Sequence, residues 1–240
     1  MRRDHRPYFV KRIHQRFERV WVNHFIRPQL ESLGDEFLIM KPWNLILNGP
    51  NIYFGNHIHV ITAWYRKVTL STWEHEDGAG RIDVGDAALI CPEVRIDSAT
   101  HVDVGRDCML ARGCYLSDAD WHDLYDRTRA VGTTRAVKLE RNVWLGDGVT
   151  VCKGVTIGEN SVIGAGAVVA NDIPANVIAA GNPARVIREL DEQRDLVRRS
   201  SLFEDAEALR ESMDRVDRWV LHPNSLVGWL RHLMNPRPGD

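Results

Sequence analysis

The chain has 240 residues, enough for one or two domains, and a formal net charge of −2. This near-neutral balance excludes a bulk electrostatic attraction to nucleic acid, so no nucleic-acid partner is predicted. The sequence contains no run of about eighteen apolar residues, so no membrane span is predicted. The N-terminus lacks the pattern of a secretory signal. The four cysteines have no zinc-ligand spacing. We therefore expect free thiols in the reducing cytoplasm.

Residues 1–49 are predicted to form a helical extension. Apolar residues recur there every three or four positions, beginning with Phe9, Ile13 and Phe17. The favoured interpretation is that this stripe packs on the protein or on a neighbouring subunit. Weak contact with an anionic membrane surface is the alternative. It is suggested by the basic residues that accompany the stripe: Arg2, Arg3, Arg6, Lys11, Arg12, Arg16 and Arg19.

Residues 50–188 advance in steps of six. The clearest run of aliphatic residues at this spacing is Leu145, Val151, Ile157, Ile163 and Val169. The same step occurs twice earlier, at Val84, Ile90 and Ile96, and at Val104, Leu110 and Leu116. A helix would require a period of 3.6 and a plain strand a period of 2. A short fixed period with one buried aliphatic per step indicates an all-β solenoid of triangular coils, each side a short strand followed by a corner.

Residues 189–240 are predicted to return to helix. Apolar residues are spaced at helical intervals among many charges from Leu196 to Val220, and a second short helix is expected from Ser225 to Met234. Helical extensions would cover the ends of a solenoid, which otherwise expose apolar surface and unpaired strand edges.

One segment, residues 117–138, interrupts the repeat. A loop of this length on a compact repeat is uncommon unless it is functional. It contains His122 among four carboxylates, which are Asp118, Asp120, Asp123 and Asp126. The loop is therefore the candidate catalytic segment.

Three motifs give the chain a recognisable resemblance. They begin at Val143 (Val-Trp-Leu-Gly), Ile163 (Ile-Gly-Ala-Gly-Ala-Val-Val) and Gly181 (Gly-Asn-Pro-Ala-Arg-Val-Ile-Arg). Over about residues 80–190 the chain resembles the hexapeptide-repeat acetyltransferases, and most of all the branch of maltose and galactoside O-acetyltransferases. The resemblance implies a left-handed parallel β-helix, a homotrimer, acetyl-CoA bound between subunits, and a loop histidine that acts as general base.

The resemblance assigns the base to His122. A neutral imidazole, with an ordinary pKa near 6.5, can take the proton of an acceptor hydroxyl as it attacks the thioester. Asp120 is the first choice, and Asp118 the second, for the carboxylate that fixes the tautomer and stabilises the imidazolium. No covalent acetyl-enzyme is expected, because no cysteine lies in the loop. The predicted function is acetyl-CoA-dependent O-acetylation of a sugar or a sugar-containing acceptor.

The resemblance also implies the residues that bind acetyl-CoA. Main-chain groups at Asp147, Ala165 and Gly166 match the positions that contact the pantetheine arm. Arg185 and Arg188 match those that meet the phosphates and the adenine end, where the planar guanidinium makes paired charge-assisted hydrogen bonds. No metal is expected.

Two departures from the family pattern limit what is carried over. The family commonly has His-Pro where this chain has His122-Asp123, and often Thr-Lys where this chain has Ala170-Asn171. The first departure indicates a different acceptor pocket, so the acceptor itself is not assigned. The second removes a hydroxyl and a positive charge from the CoA side.

Two alternatives remain open. A zinc enzyme similar to the carbonic anhydrases built on this fold would use histidines on the early coils; the candidates are His57, His59, His75 and His101. A non-catalytic binding or scaffold protein with a decayed site would also fit the two departures.

Overall fold

The computed structural model describes residues 4–75 and 78–237. The chain divides into two compact units. One is formed by Met1–Val20 with Leu202–Asp240 and the other by Trp21–Ser201. We call them the helical unit and the coil unit and describe each by itself.

Short strands of the coil unit form three parallel sheets. The first contains β1 (Ser32–Leu33), β4 (Ile52–Phe54), β9 (Ile82–Val84), β12 (Val102–Val104), β15 (Val137–Leu139) and β18 (Thr156–Ile157). The second contains β2 (Leu38–Met40), β5 (His59–Ile61), β10 (Leu89–Ile90), β13 (Met109–Leu110), β16 (Trp144–Leu145), β19 (Val162–Ile163), β21 (Val177–Gly181) and β22 (Ala184–Glu189). The third contains β3 (Leu45–Asn48), β6 (Val68–Thr72), β11 (Arg95–Ser98), β14 (Tyr115–Ser117), β17 (Thr150–Val151) and β20 (Val168–Val169).

Successive strands lie in successive sheets, so the chain forms a three-sided coil. Each strand pairs in parallel with the strand one turn away, as Leu110 does with Leu145. The final strand, β22, pairs antiparallel with β21. Two short strands, β7 (Glu74–His75) and β8 (Gly78–Ala79), pair antiparallel and lie in the sequence between β6 of the third sheet and β9 of the first. This topology accounts for the six-residue step, since one side of the triangle consumes about six residues.

The core runs along the axis of the coil. The aliphatic residues of the predicted run are all fully buried: Leu145, Val151, Ile157, Ile163 and Val169. Their neighbours along each strand, such as Val168, point to the outside and are only half-buried. Each strand therefore contributes one or two side chains to a continuous apolar column, as the period of two along a strand requires.

Corners of the coil are closed by hydrogen bonding and by close backbone approach. Three stacked asparagines, Asn142, Asn160 and Asn176, have φ of 59°, 63° and 59°. Their amides form a ladder, with Nδ2···Oδ1 distances of 3.0 and 2.8 Å. At Gly158 an added Cβ would lie 2.3 Å from the amide nitrogen of Ala175, so no other residue fits this corner.

The coils begin earlier than predicted. Strands β1, β2 and β3 lie within residues 32–48, which the sequence assigned to the helical extension. The physical reason is that Leu33, Ile39 and Leu45 already follow the six-residue step and are buried in the core. At the other end, β22 stops at Glu189, one residue beyond the predicted end of the coils.

Helices flank the coils in sequence. Their bounds are α1 (Tyr8–Trp21), followed by a π-helical turn (Val22–Ile26) and a 3₁₀ turn (Arg27–Gln29), then α2 (Ala206–Leu221) and α3 (Leu226–Met234). Further 3₁₀ turns are Pro42–Asn44 and Arg199–Phe203. Asp205 caps α2 and Ser225 caps α3, each accepting a hydrogen bond from a backbone amide of the first turn. Among the residues described, none of these helices has the length and apolar character needed to cross a bilayer.

Two adjacent valines provide a test of the coil geometry. We expect Val169→Ala to lower the free energy of unfolding by roughly 2–3 kcal/mol, because it removes buried methyl groups and leaves a cavity. Val168→Ala, the same change one residue earlier on the outer side of β20, should cost less than about 1 kcal/mol. Urea denaturation of both variants measures the difference, and equal losses would contradict the inward register of Val169.

Candidate functional site

The loop that interrupts the repeat leaves β14 and returns at β15. Its neck is closed by backbone pairing, including an antiparallel bridge between Ala119 and Thr134. The amide of Asp120 donates to the carbonyl of Thr133 over 3.0 Å, and the amide of Gly132 donates to the carbonyl of Asp120 over 2.7 Å. The loop therefore has a fixed base, from which residues 121–131 extend.

Asp118 anchors the base of this loop to the previous coil. Its side chain is completely buried. One carboxylate oxygen accepts from the amide of Ala99 over 2.7 Å, and the other accepts from the Ser98 hydroxyl over 2.7 Å and the Thr100 amide over 2.9 Å. These partners are the last residue of β11 and the first two residues of the corner that follows it, so Asp118 holds the loop to the end of β11.

Asp120 forms an ion pair with Lys153, a residue of a later coil. Its carboxylate pairs with the ammonium group of Lys153 and accepts from the Thr133 hydroxyl over 2.8 Å. The hydrogen bond from Lys153 lowers the pKa of Asp120 below its ordinary 3.8, and the bond from Thr133 lowers it further. Asp120 thus ties the loop to the corner that follows β17.

His122 is exposed on the far side of this neck. Its Nδ1 lies 3.3 Å from the carbonyl oxygen of Arg129, across the loop. In the described part of the chain, neither Asp118 nor Asp120 hydrogen-bonds to the imidazole, and Nε2 has no hydrogen-bond partner. The structure therefore surrounds His122 differently from the sequence prediction, with a main-chain carbonyl in the position expected of a carboxylate.

A buried carboxyl group that the sequence analysis missed lies near the loop, on the outer side of the third sheet. Asp97 sits in register between Ser71 of β6 and Ser117 of β14. Its side chain is 1 % exposed, and Arg95 Nε lies 2.6 Å from its Oδ2. Burial raises the pKa of Asp97 above 3.8, against a lowering by the charge of Arg95 and by hydrogen bonding from Tyr115 and Ser71.

Aromatic side chains adjoin this carboxyl group. The indole Nε1 of Trp121 donates to the Tyr115 hydroxyl and to Ser117 Oγ, each over 3.1 Å. The ring centroid of Trp73, which precedes β7, lies 5.6 Å from that of Trp121. Arg95, Asp97, Tyr115, Trp121 and Trp73 together form what we call the aromatic–carboxylate surface. The signal for it in the sequence was Trp121, directly before His122.

The residues predicted to contact pantetheine lie at a different corner, the one that precedes the third sheet. The amide of Gly166 donates to the carbonyl of Asp147 over 2.8 Å, so the corners after β16 and β19 stack on each other. Gly166 has φ of +71°, and an added Cβ there would meet no atom within 4 Å. The neighbouring Ala165 is exposed. The exposure of Ala165 and the open space beside Gly166 make this corner accessible to a ligand.

The two predicted phosphate-binding arginines lie on β22. Both side chains are exposed. Arg185 Nη1 donates to the carbonyl of Ala184 over 2.9 Å. Arg188 borders a cavity of about 290 Å³, whose other lining residues are Leu190, Asp191, Arg194 and Leu196. The structure keeps these cations at the end of the coil and does not bring them to His122 within one chain.

Of the histidines considered as zinc ligands, His59 and His101 have separate surroundings, and the side chain of His75 lies outside the described residues. His101 Nε2 lies 2.7 Å from Asp83 Oδ2. His59 is largely enclosed, and burial lowers its pKa to about 4. Among the side chains that the structure describes, those of residues 4–74 and 78–237, no three His, Cys, Asp or Glu come together in an arrangement that could hold a metal ion.

The Lys153–Asp120 ion pair predicts a pH dependence of stability. Because the folded-state pKa of Asp120 is depressed, the pair stabilises the protein above the ordinary pKa of 3.8, and this contribution is lost as the pH falls through the lowered value. We expect Asp120→Asn to be less stable than the wild type at pH 7 and to approach it at about pH 3. Urea unfolding at both pH values measures the difference. Lys153→Met should follow the same pattern, and a gap that does not change with pH would contradict the assignment.

Comparison with protein families supports the reading of the repeat. The bacterial transferase hexapeptide model, of six repeats, matches residues 136–171. This segment contains the six strands β15 to β20, and the match confirms the predicted resemblance to hexapeptide-repeat transferases. A search of the curated proteins finds no match to the chain.

Solved structures with a similar fold include the N-acyltransferase AntD from Bacillus cereus, a variant of which was solved with dTDP-4-amino-4,6-dideoxyglucose and coenzyme A. It is 18% identical, covers 79% of this chain and 96% of its own, and has a TM-score of 0.56. A hexapeptide-repeat acetyltransferase from Vibrio cholerae, solved with acetyl coenzyme A, is 22% identical, with coverages of 77% and 90% and a TM-score of 0.48. A maltose O-acetyltransferase from Clostridium difficile is 26% identical, with coverages of 75% and 86% and a TM-score of 0.40. The likeness to AntD shows the shared fold.

Proposed function

We propose that this chain, which carries the hexapeptide repeat of bacterial transferases, is an acyltransferase that moves an acetyl group from acetyl-CoA to a hydroxyl of a sugar-containing acceptor. The observation that carries the proposal is the loop at residues 117–138, which holds an exposed imidazole beside the aromatic–carboxylate surface. The repeat supplies a rigid frame for this loop. We assign catalysis to the coil unit and leave the helical extensions outside the reaction.

His122 acts as the general base in this proposal. The carbonyl of Arg129 accepts a hydrogen bond from Nδ1–H, which fixes the tautomer and leaves Nε2 as the basic nitrogen. Nε2 takes the proton of the acceptor hydroxyl while the oxygen attacks the thioester carbonyl. The C–S bond then breaks, and the proton passes to the departing thiolate of CoA. Transfer of this kind requires no covalent intermediate on the enzyme.

The aromatic–carboxylate surface binds the acceptor. The exposed guanidinium of Arg95 and the half-buried hydroxyl of Tyr115 can hydrogen-bond to sugar hydroxyls, while the faces of Trp73 and Trp121 offer apolar contact to a sugar ring. Asp97 is buried beside Arg95, and its carboxylate holds the guanidinium in place and balances its charge. This surface is the specific support for a hydroxylated ring as acceptor.

Acetyl-CoA fits the corner of Asp147 and Gly166 and the arginines of β22. Main-chain groups at the accessible corner of Asp147, Ala165 and Gly166 suit the amide groups of the pantetheine arm, and Arg185 and Arg188 suit the phosphates of CoA. No metal takes part in the proposed reaction, since the base and both substrates supply all of its groups.

The arrangement of the two corners favours a homotrimer. The loop of His122 follows the third sheet, whereas Asp147 and Gly166 precede it, so the base and the thioester site lie at different corners of one chain. We propose that they meet between neighbouring subunits of a trimer of left-handed β-helices. We also place the protein in the cytoplasm, consistent with four free cysteines, of which Cys108 and Cys114 are buried.

An acetyl-CoA assay tests the proposal. Release of free thiol is followed against a panel of mono- and oligosaccharides and, in parallel, of amino sugars. We expect turnover with a hydroxyl acceptor, an increased KM for the acceptor in Trp121→Ala, and an increased KM for acetyl-CoA in Arg188→Ala. Turnover only with amines would show that the reaction is N-acetylation and not O-acetylation. The absence of both turnover and CoA binding would reject the proposed acetyltransferase function.

A further inference from the structure

The helical unit packs through its polar sides. Tyr8 and Lys11 on α1 hydrogen-bond to Asp214 and Asp217 on α2, over 2.5 and 2.6 Å. At the start of α3 the amide of Asn224 donates to backbone carbonyls of the segment before α1, over 2.6 and 3.0 Å. Polar contacts therefore join α1 to α2 and the start of α3 to the segment before α1.

The apolar side of α1 is left facing outward. Phe9, Ile13, Phe17 and Val20 follow one another at intervals of four, four and three and so share one helix face. Their exposed fractions are 53%, 61%, 50% and 64%, and no residue of α1 is buried. We call these four residues the α1 stripe. Contiguous apolar surface of this kind on a folded protein marks an interaction site.

The residues beside the α1 stripe are mainly basic, which indicates the kind of partner that the stripe binds. Arg12, Arg16 and Arg19 lie along one border of the stripe, each one residue before a member of it. Arg12 Nη1 lies 3.6 Å from Asp214 Oδ1 of α2, whereas Arg16 and Arg19 have no ion-pair partner in the described part of the chain. Glu18 is the acidic residue within α1, and it pairs with His14, 3.3 Å away. Residues 1–20 carry seven Lys and Arg against two Asp and Glu, so the stripe has an excess of positive charge.

The excess of positive charge beside the α1 stripe distinguishes between two binding partners, a second copy of the chain and an anionic lipid surface. If the α1 stripe of a second copy packed against it, unpaired guanidinium groups would be brought together, which is unfavourable. An anionic lipid surface instead accepts both features, because acyl chains bury the apolar side chains and the headgroups attract the arginines. The α3 helix has the same character, since Leu226–Met234 contains no acidic residue and exposes Val227 and Leu233.

We propose that α1 is an interfacial helix that lies flat on an anionic membrane, with Phe9, Ile13, Phe17 and Val20 inserted and Arg16 and Arg19 among the headgroups. This binding is independent of acetyl transfer. It would bring the coil unit to a membrane surface and so favour acceptors carried on lipids.

Vesicle co-sedimentation of the full chain tests the proposal. We expect binding to phosphatidylglycerol vesicles, little binding to phosphatidylcholine vesicles, and a loss of binding at high salt. Val20→Glu and Arg16→Glu should each weaken binding to phosphatidylglycerol by about tenfold or more. Failure of the wild-type protein to sediment with phosphatidylglycerol vesicles would overturn the proposal.

Matched variants separate the α1 stripe from general effects. Val197→Glu makes the same substitution at an 82% exposed valine of the coil unit, and Arg215→Glu reverses a charge on α2; both should bind like the wild type. Light scattering records the molecular mass of each variant. If Val20→Glu lowers the mass while vesicle binding is absent or unchanged, the stripe is a subunit interface and the proposal is wrong.

Discussion

We expect His122→Ala to lower kcat for acetyl transfer by about 10²–10⁴-fold, the usual contribution of a general base. The KM values should change little, because the imidazole acts on the proton and not on the bound acyl group. Folding should be preserved to within about 0.5 kcal/mol, since the side chain is exposed. Steady-state assays with acetyl-CoA and the acceptor found in the screen, together with urea unfolding, measure both effects.

Two results would decide against the base assignment. His222→Ala removes an exposed histidine at the end of α2 and serves as the matched control, with unchanged turnover expected. If His122→Ala also retained turnover, another group would have to take the proton. If both variants lost activity, the loss would reflect general damage and the specific role of His122 would not stand.

The repeat was predictable because burial imposes it directly on the sequence. One inward aliphatic is needed per side of the triangle, so Leu145, Val151 and Ile157 recur at a spacing that no helix or plain strand produces. The same rule holds for Leu33, Ile39 and Leu45, but the preceding helical spacing of Phe17 and Trp21 and the turn residues around Pro42 obscured it. The start of the coils at Ser32 was therefore missed, although its signal was present.

The site was predictable only in part, because position along a loop does not determine the direction of a side chain. His122 and its loop could be identified from the break in the repeat. The partners of the nearby carboxylates come from distant positions: Ser98 for Asp118, and Lys153 for Asp120. Asp97 and Trp73 lie near the loop because neighbouring coils stack on one another. The register of that stacking cannot be derived directly from the sequence.

These contacts give Asp118 a structural role with a large energetic effect. We expect Asp118→Ala to lower the free energy of unfolding by about 3–5 kcal/mol, because the amides of Ala99 and Thr100 would lose charged acceptors while remaining enclosed. The loop should also loosen at its base, so turnover should fall together with stability. Urea denaturation measures the first effect and increased proteolysis within residues 119–136 reports the second.

Less severe substitutions test the same prediction if Asp118→Ala does not fold. Asp118→Asn retains one acceptor oxygen and should lose less stability than Asp118→Ala. Ser98→Ala removes one of the three hydrogen bonds and should lose less again. Asp126→Ala, at the exposed tip of the same loop, is the matched control with only a small change expected. Were Asp118→Ala as stable as Asp126→Ala, the carboxylate would not anchor the loop, and the fixed base from which His122 extends would need another origin.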